Sequence, residues 1–314
     1  MQLIKYFLTI FIASGLIIWG ALWFTNKGLQ RSQVDFYGKM NAASDSRKKT
    51  DLVIIGSSRA LVNLDTRILD SVTGLRSYNY ALNAVTIKTC LNMIKYVLHY
   101  QKQAKIILLN VDCTMFDYLR DPYKDAYYYP FEKNLPDFLM TGPKSNKLIH
   151  KLNLFDISFY DDFVKYAAID GWARPGRKVV GYFNGYYPHQ NLDDFTKPKE
   201  NIFYKKKILS TEAGFGMLND IVTLCKKNNI KLLFVEAPYF KIYFPGNYYT
   251  NYYQIMEKVN LVARQNNILF FNYTSLPMAN DRTYFYDANH LNRKGAEFYS
   301  AIVADTIKNS IVNN

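Results

Sequence analysis

Cysteine is scarce in this chain, with only Cys90, Cys113 and Cys225 in 314 residues. An odd number without a Cys-x-x-Cys spacing excludes a disulfide framework and a thiolate zinc site. Small core residues are the expected reading of all three. Histidine is nearly as scarce, with four residues. His99, His150 and His189 have no partner at ligand spacing, so the sequence predicts no metal and no cofactor. Acidic charge is also in short supply, 26 Asp+Glu against 39 Lys+Arg, which leaves a net charge of +13. Such a balance suits anionic lipid head groups and anionic surface polymers as neighbours. No nucleic-acid recognition motif accompanies it, and no nucleic-acid partner is expected. No internal repeat or low-complexity run is evident.

Charge is missing altogether from residues 6–25 (YFLTIFIASGLIIWGALWFT). At 1.5 Å per residue such a run spans about 30 Å, the thickness of a bilayer core. A cleaved signal peptide is the rival reading, but its apolar region is usually roughly 7–15 residues and ends at small residues. Here the run is longer and ends in Trp23-Phe24-Thr25-Asn26-Lys27, and tryptophan suits a membrane interface. Residues 1–26 are therefore expected to be a transmembrane anchor and residues 27–50 a polar stalk. A literal count of Lys5 against Lys27, Arg31 and Lys39 would keep the body cytoplasmic. Large domains translocate largely regardless of charge, so the expectation is an extracytoplasmic body, periplasmic or at the cell surface.

What the remainder does contain is alternation. Residues 52–55 form a short apolar run bounded by charge and glycine, hence a buried strand. Asp65-Thr66-Arg67 opens a capped short helix that ends near Gly74. Further strands are predicted at 78–82, 105–111, 230–235 and 268–271, with helices at 86–103, 212–227, 249–265 and 292–311. Five strands alternating with helices argue for an α/β domain over 51–314, with a parallel sheet and helices on both faces. Ligand sites in such sheets lie beyond the carboxyl ends of the strands. The pattern is interrupted at about 113–210 by a Tyr-, Pro-, Gly- and Asp-rich insertion. It holds Asp125-Ala126-Tyr127-Tyr128-Tyr129-Pro130 and Gly181-Tyr182-Phe183-Asn184-Gly185-Tyr186-Tyr187-Pro188. Rings beside Asn, Asp and Gly can serve as platforms for sugar faces or for gripping a partner. The alternative is that tyrosine is simply common here, 27 in all.

Two segments at the expected sheet edge carry chemistry. Gly56-Ser57-Ser58-Arg59 follows the first strand, and Asp287-Ala288-Asn289-His290 precedes the last helix. A serine hydroxyl is a weak nucleophile until a base takes its proton, and the base needs an orienting acid. Gly56 permits the sharp turn that would push a serine out at the sheet edge. Residues three apart in a loop can lie side by side, so Asp287 can hold one ring nitrogen of His290 and leave the other for Ser58. The turn is not a G-x-S-x-G elbow, since residue 60 is Ala. Arg59 could pair with an anionic substrate group or brace a loop carbonyl.

These blocks resemble those of the SGNH (GDSL-type) hydrolase superfamily of esterases and acyltransferases. Gly56-Ser57-Ser58 matches its first block and Asp287-Ala288-Asn289-His290 its last, over roughly residues 50–112 and 211–310. The resemblance implies a flavodoxin-like three-layer α/β sandwich with a central parallel sheet, Ser58 as nucleophile, His290 as general base and Asp287 as its orienting acid. Within the superfamily the anchored arrangement is similar to the D-alanyl transfer protein of teichoic acid modification and to alginate O-acetyltransferase proteins. The chain departs from the pattern in three places. Ser57 stands where an Asp is usual, Ala84 where the second block has glycine, and Asn110-Val111-Asp112 where the third block has Gly-x-Asn-Asp. The oxyanion-hole candidates are Ser58, Ala84, Asn83 and Asn110. The expected activity is ester hydrolysis or O-acyl transfer on an acylated glycan or anionic envelope polymer, with a membrane acyl-transfer protein as a further partner. A catalytically silent glycan-binding or scaffolding module is the alternative.

Overall fold

A computed structural model describes residues 2–117, 127–128, 130–131, 161–176, 183–189, 206–209 and 211–312. In chain order the helices are α1 (Gln2–Leu29), α2 (Asp35–Ser44), α3 (Ser58–Asn63), α4 (Thr66–Thr73), α5 (Ile87–Tyr100), α6 (Asp162–Ala173), α7 (Thr211–Lys227), α8 (Tyr252–Gln265) and α9 (Arg293–Ile307). The strands are β1 (Leu52–Ile55), β2 (Ser77–Asn79), β3 (Ile106–Asn110), β4 (Lys231–Glu236) and β5 (Leu269–Asn272). The chain divides into two compact units, Met1–Ser44 with Tyr123–Val179 and Asp45–Pro122 with Val180–Asn314.

The larger unit is built on one sheet of strand order β2-β1-β3-β4-β5, with every neighbouring pair parallel. Parallel strands covered on both faces need apolar side chains throughout, and β1 and β3 are buried along their whole length. Leu52, Ile54, Ile106, Leu108, Leu233 and Val235 pack with Leu61, Leu69, Ala296, Tyr299 and Val303, so α3, α4 and α9 cover one face. The alternate residues Val53, Ile107 and Phe234 face the other way. There α5 packs against α7. The chain is thus an α/β three-layer sandwich, in the 2-1-3-4-5 order of flavodoxin-like sheets. The strand order reverses between β1 and β3, so their carboxyl ends diverge into a crevice. Gly56-Ser57-Ser58 leaves β1 there, and Val111-Asp112 leaves β3.

Local chemistry explains most boundaries. Asp65 Oδ1 accepts the Arg67 N–H at 2.9 Å and starts α4, and Gly74, at φ +70°, ends it. The strand expected at 78–82 is confined to Ser77–Asn79, although the Tyr80 and Leu82 N–H groups still donate to the Ile54 and Gly56 carbonyls. The Asn79 N–H donates to the Asn184 carbonyl at 2.8 Å, and its side-chain amide donates to Ala60 and Leu64 carbonyls. Helix α3, which starts at Ser58, is one element the hydrophobic pattern does not mark; it is six residues long.

Residues 183–189 of the insertion enter this unit as a tight hairpin. Phe183 and Tyr186 form an antiparallel bridge around Asn184 (φ +42°) and Gly185 (φ +82°). Tyr186 is fully buried in the core beneath it. Residues 181 and 182 of the motif at 181–188, and 125, 126 and 129 of the one at 125–130, lie outside the described residues.

In the smaller unit α1 is long and apolar enough to cross a membrane. It extends to Leu29, beyond the expected anchor boundary at residue 26. The stretch 27–50 is not a plain polar stalk. Helix α2 buries Phe36, Tyr37 and Met40 completely, and the Asp161 carboxylate that caps α6 accepts the Tyr127 hydroxyl at 2.7 Å. Aromatic burial in 35–40 outweighs the local polarity that suggests a stalk.

Candidate functional site

Ser58 is the first residue of α3, and its neighbour Ser57 is the cap, accepting the Arg59 N–H at 3.2 Å. The hydroxyl of Ser58 lies 2.8 Å from Nε2 of His290. On the other side of the ring, Nδ1 lies 2.8 and 2.9 Å from the two Asp287 carboxylate oxygens. A carboxylate only accepts, so Nδ1 carries the proton and the Nε2 lone pair faces the serine.

The loop that holds the imidazole is tied down at both ends. Phe285 and Leu291 pair across it, and Tyr286 N–H donates to the His290 carbonyl at 2.9 Å. Inside the turn Asp287 Oδ1 accepts the N–H groups of Asn289 and His290, both at 2.8 Å. Leu291 N–H donates to Asn63 Oδ1 at 2.9 Å, which fastens the loop to the end of α3. Asn292 then caps α9 through the Gly295 N–H. Burial works to raise the Asp287 pKa. The hydrogen bond and charge of His290 and the two backbone donors outweigh it and hold the carboxyl below its ordinary value.

Beneath Ser58 lies a second network, centred on Arg59. Arg59, buried, ion-pairs with Asp112, which also accepts the Ser57 hydroxyl. The guanidinium reaches the carbonyls of Ala237, Pro238 (3.0 Å) and Asn289 (3.3 Å). Its Cζ sits over the Tyr239 ring, 3.3 Å from the centroid. One side chain therefore braces the ends of β3 and β4 and the His290 loop. At the end of β4, Glu236 is fully buried and accepts Tyr252 Oη–H at 2.9 Å and the Asn272 amide at 3.0 Å. Burial pushes its pKa up to about 8 against the opposing pull of Arg59.

A cavity of about 640 Å³ opens over Ser58 and His290. Its wall includes Ala84, Thr86, Tyr239, Tyr243, Tyr248, Tyr249 and Lys206. Ala84, at φ +53°, is on this wall, and neither its N–H nor that of Ser58 takes part in the described hydrogen bonds. The other two oxyanion-hole candidates are placed elsewhere. Asn83 is exposed and off the wall, and Asn110 is fully buried behind it with neither amide atom partnered. Among the described residues the aromatic wall comes from 239–249.

His189 is a further neighbour. Its ring stacks on Tyr286 with centroids 4.1 Å apart and lies edge-on to His290 at 5.9 Å. Burial, then the charge of His290, lower its pKa. The Asn184-Gly185 dipeptide, a hairpin signal flanked by aromatics, is the one sequence cue that this segment docks tightly. Among the described residues no three His, Cys, Asp or Glu side chains gather into a metal-binding group, and His150 lies outside them.

No family model matches the chain, and no curated protein matches it. Among solved structures the chain is similar to a GDSL-like lipase from Bacteroides thetaiotaomicron, at 12% identity over 88% of this chain and 100% of that one, with a TM-score of 0.45. It is also similar to a G-D-S-L family protein from Desulfitobacterium hafniense, at 11% identity over 82% and 99%, TM-score 0.41. A carbohydrate acetylesterase family member from Sinorhizobium meliloti is similar at 10% identity over 82% and 99%, TM-score 0.36. Likeness at this level says nothing about substrate, and the chemistry has to come from the site's own atoms.

Proposed function

We propose that this chain is a serine-dependent ester hydrolase or O-acyltransferase. The observation that carries the reading is the 2.8 Å approach of Ser58 Oγ to His290 Nε2, with Asp287 on the far side of the ring. In the proposed reaction Nε2 takes the Ser58 proton as Oγ attacks the ester carbonyl. The N–H groups of Ser58 and Ala84 face the developing oxyanion. Collapse breaks the ester C–O bond, and His290 returns its proton to the departing alcohol. Water or a sugar hydroxyl then attacks the Ser58 acyl ester, again deprotonated by His290, and frees the serine.

For the substrate we favour an acylated, anionic glycan of the cell envelope. Tyrosine faces on the cavity wall suit a sugar ring. Among the described residues the only carboxylate on that wall, Asp112, is paired with Arg59, which leaves Lys206 as an ammonium for an acidic substituent. An envelope location, with the body outside the cytoplasm, rests on α1 acting as an anchor.

A fluorophosphonate probe tests the chemistry. Wild type is expected to be labelled, and labelling is lost in Ser58→Ala and strongly reduced in His290→Ala. A well-folded wild type that neither labels nor hydrolyses short acyl esters overturns the reading. A catalytically silent glycan-binding module is the second reading, favoured by one observation. No asparagine of the candidate set reaches the cavity wall, and one missing oxyanion donor costs about 2.7–4 kcal/mol. Glycan binding that persists in Ser58→Ala while wild type shows no turnover would select it.

A further inference from the structure

In the smaller unit the last turns of α1 touch the C-terminal half of α6. A Cβ on Gly171 would overlap the Gly28 carbonyl oxygen, and one on Gly28 would overlap the Ala168 carbonyl. Glycine at both positions lets the two backbones meet. The Trp172 indole N–H donates to the Phe24 carbonyl at 2.8 Å, and its ring stacks on Phe24 with centroids 5.0 Å apart. Trp23 lies 6.0 Å from the same ring, and the Arg31 guanidinium sits 4.4 Å over it. At its start α6 meets α2 instead, where Phe163 stacks on Tyr37 with centroids 5.7 Å apart. The end of α6, which reaches back to Trp23 and Phe24, is therefore its part nearest the charge-free run that closes at Thr25.

The outward stripe of α6 changes character in the same direction. Its exposed positions 162, 166, 169 and 173 recur at helical spacing and share one face. Asp162, farthest from the run, has a 97% exposed side chain and pairs with Lys165. Tyr166 and Ile169 follow at 57% and 61% exposure, then Ala173. A stripe that is ionic at one end, and apolar where it meets the end of a membrane-length helix, matches the polarity gradient of a lipid head-group layer. Lys27, Arg31 and Arg174 lie close in sequence to the Trp23–Trp172 pair, where lipid phosphates would meet them.

We propose that the C-terminal half of α6 lies in the head-group layer of a phospholipid bilayer, with Tyr166 and Ile169 against lipid and Trp172 at the depth of Trp23. This rests on α1 crossing that bilayer, and it makes the smaller unit a wedge seated on the membrane surface rather than a free stalk.

The test uses the full chain in phospholipid nanodiscs, labelled with an environment-sensitive fluorophore at Ile169→Cys, Asp162→Cys or Ile17→Cys. The native cysteines Cys90, Cys113 and Cys225 are buried, which keeps the labelling selective. The expected result is severalfold stronger quenching at 169 by shallow nitroxide lipids than by aqueous iodide, with the reverse at 162. A 169 label as open to iodide as the 162 label overturns the inference. So does a 169 label shielded from both quenchers, which would mean that protein covers the face. A lipid-quenched Ile17 label in the same preparation shows that the anchor stands even if the wedge fails. An unquenched Ile17 label removes the anchor and the wedge together.

Discussion

Asp287 serves the loop and the ring at once: one oxygen closes the turn on two backbone donors, while both oxygens contact His290 Nδ1. Replacement by Asn would leave an amide whose N–H₂ cannot accept from Nδ1–H, and the ring would favour the wrong tautomer. Asp287→Asn is expected to lower kcat on an activated ester by about 10⁴-fold with KM little changed. A loss smaller than tenfold in a folded variant would remove Asp287 from the proposed triad. Asn110 makes the opposite case, since burying an amide without partners costs about 1–3 kcal/mol. Asn110→Leu, of similar shape, is expected to leave ester turnover intact and to hold or raise the melting temperature. A collapse of turnover with the fold unchanged would return Asn110 to the oxyanion hole. Glu236 supplies the pH dependence. Its folded pKa, about 8, stands above the ordinary value of about 4.3, so the folded state holds the proton more tightly. The stability it contributes is complete below the ordinary value and is lost as pH rises through about 8, at up to roughly 1.4 kcal/mol per pH unit. Glu236→Gln keeps an acceptor for Tyr252 and removes the titration. Denaturation midpoints of the variant should decline less between pH 5 and about 8, and an unchanged slope would refute this.

At the scale of elements, α3 and the Phe183–Tyr186 hairpin position the site. Helix α3 is too short to owe its stability to hydrogen bonding alone, and it survives because Arg59 and Asp112 pin its first turn while Leu61 and Val62 pack below. Removing one partner of a buried pair leaves the other uncompensated. Asp112→Ala is therefore expected to cost about 3–5 kcal/mol in chemical denaturation. A loss below 1 kcal/mol would mean that the guanidinium finds full compensation in its carbonyl contacts. In the hairpin, Gly185 has a positive φ and a backbone carbonyl where a side chain would go. Much of this scale was legible in the sequence. The Asp65 cap, the Gly74 stop and the apolar faces of α5 and α9 are local signals that no tertiary contact contradicts. α3 was not legible, because a six-residue helix has too few turns to display a period. The partners of Asn79 were not legible either, because they lie on α3 and on the hairpin, far away in sequence.

At the scale of the whole molecule, the parallel sheet brings β1 and the loop before α9 to one edge, and α1 offers a route to the membrane. Removing residues 2–25 is expected to release the chain into the aqueous fraction, whereas the full chain resists alkaline carbonate extraction. Carbonate release of the full chain would refute the anchor. The sequence by itself determined the alternation of strands and helices, the charge-free run and the identities of Ser58, Asp287 and His290. Each is set by local composition and period, which need no partner to be read. Only the tertiary structure decided the rest. It put Asn110 behind the cavity wall, paired Arg59 with Asp112 and set His189 edge-on to His290. It also drew the cavity's tyrosines from 239–249 and folded the expected stalk into a helical unit. The physical reason is common to all of these. Burial and hydrogen-bond partners are properties of packing between distant segments, and a residue's type specifies what it can bond to but not which candidate reaches it.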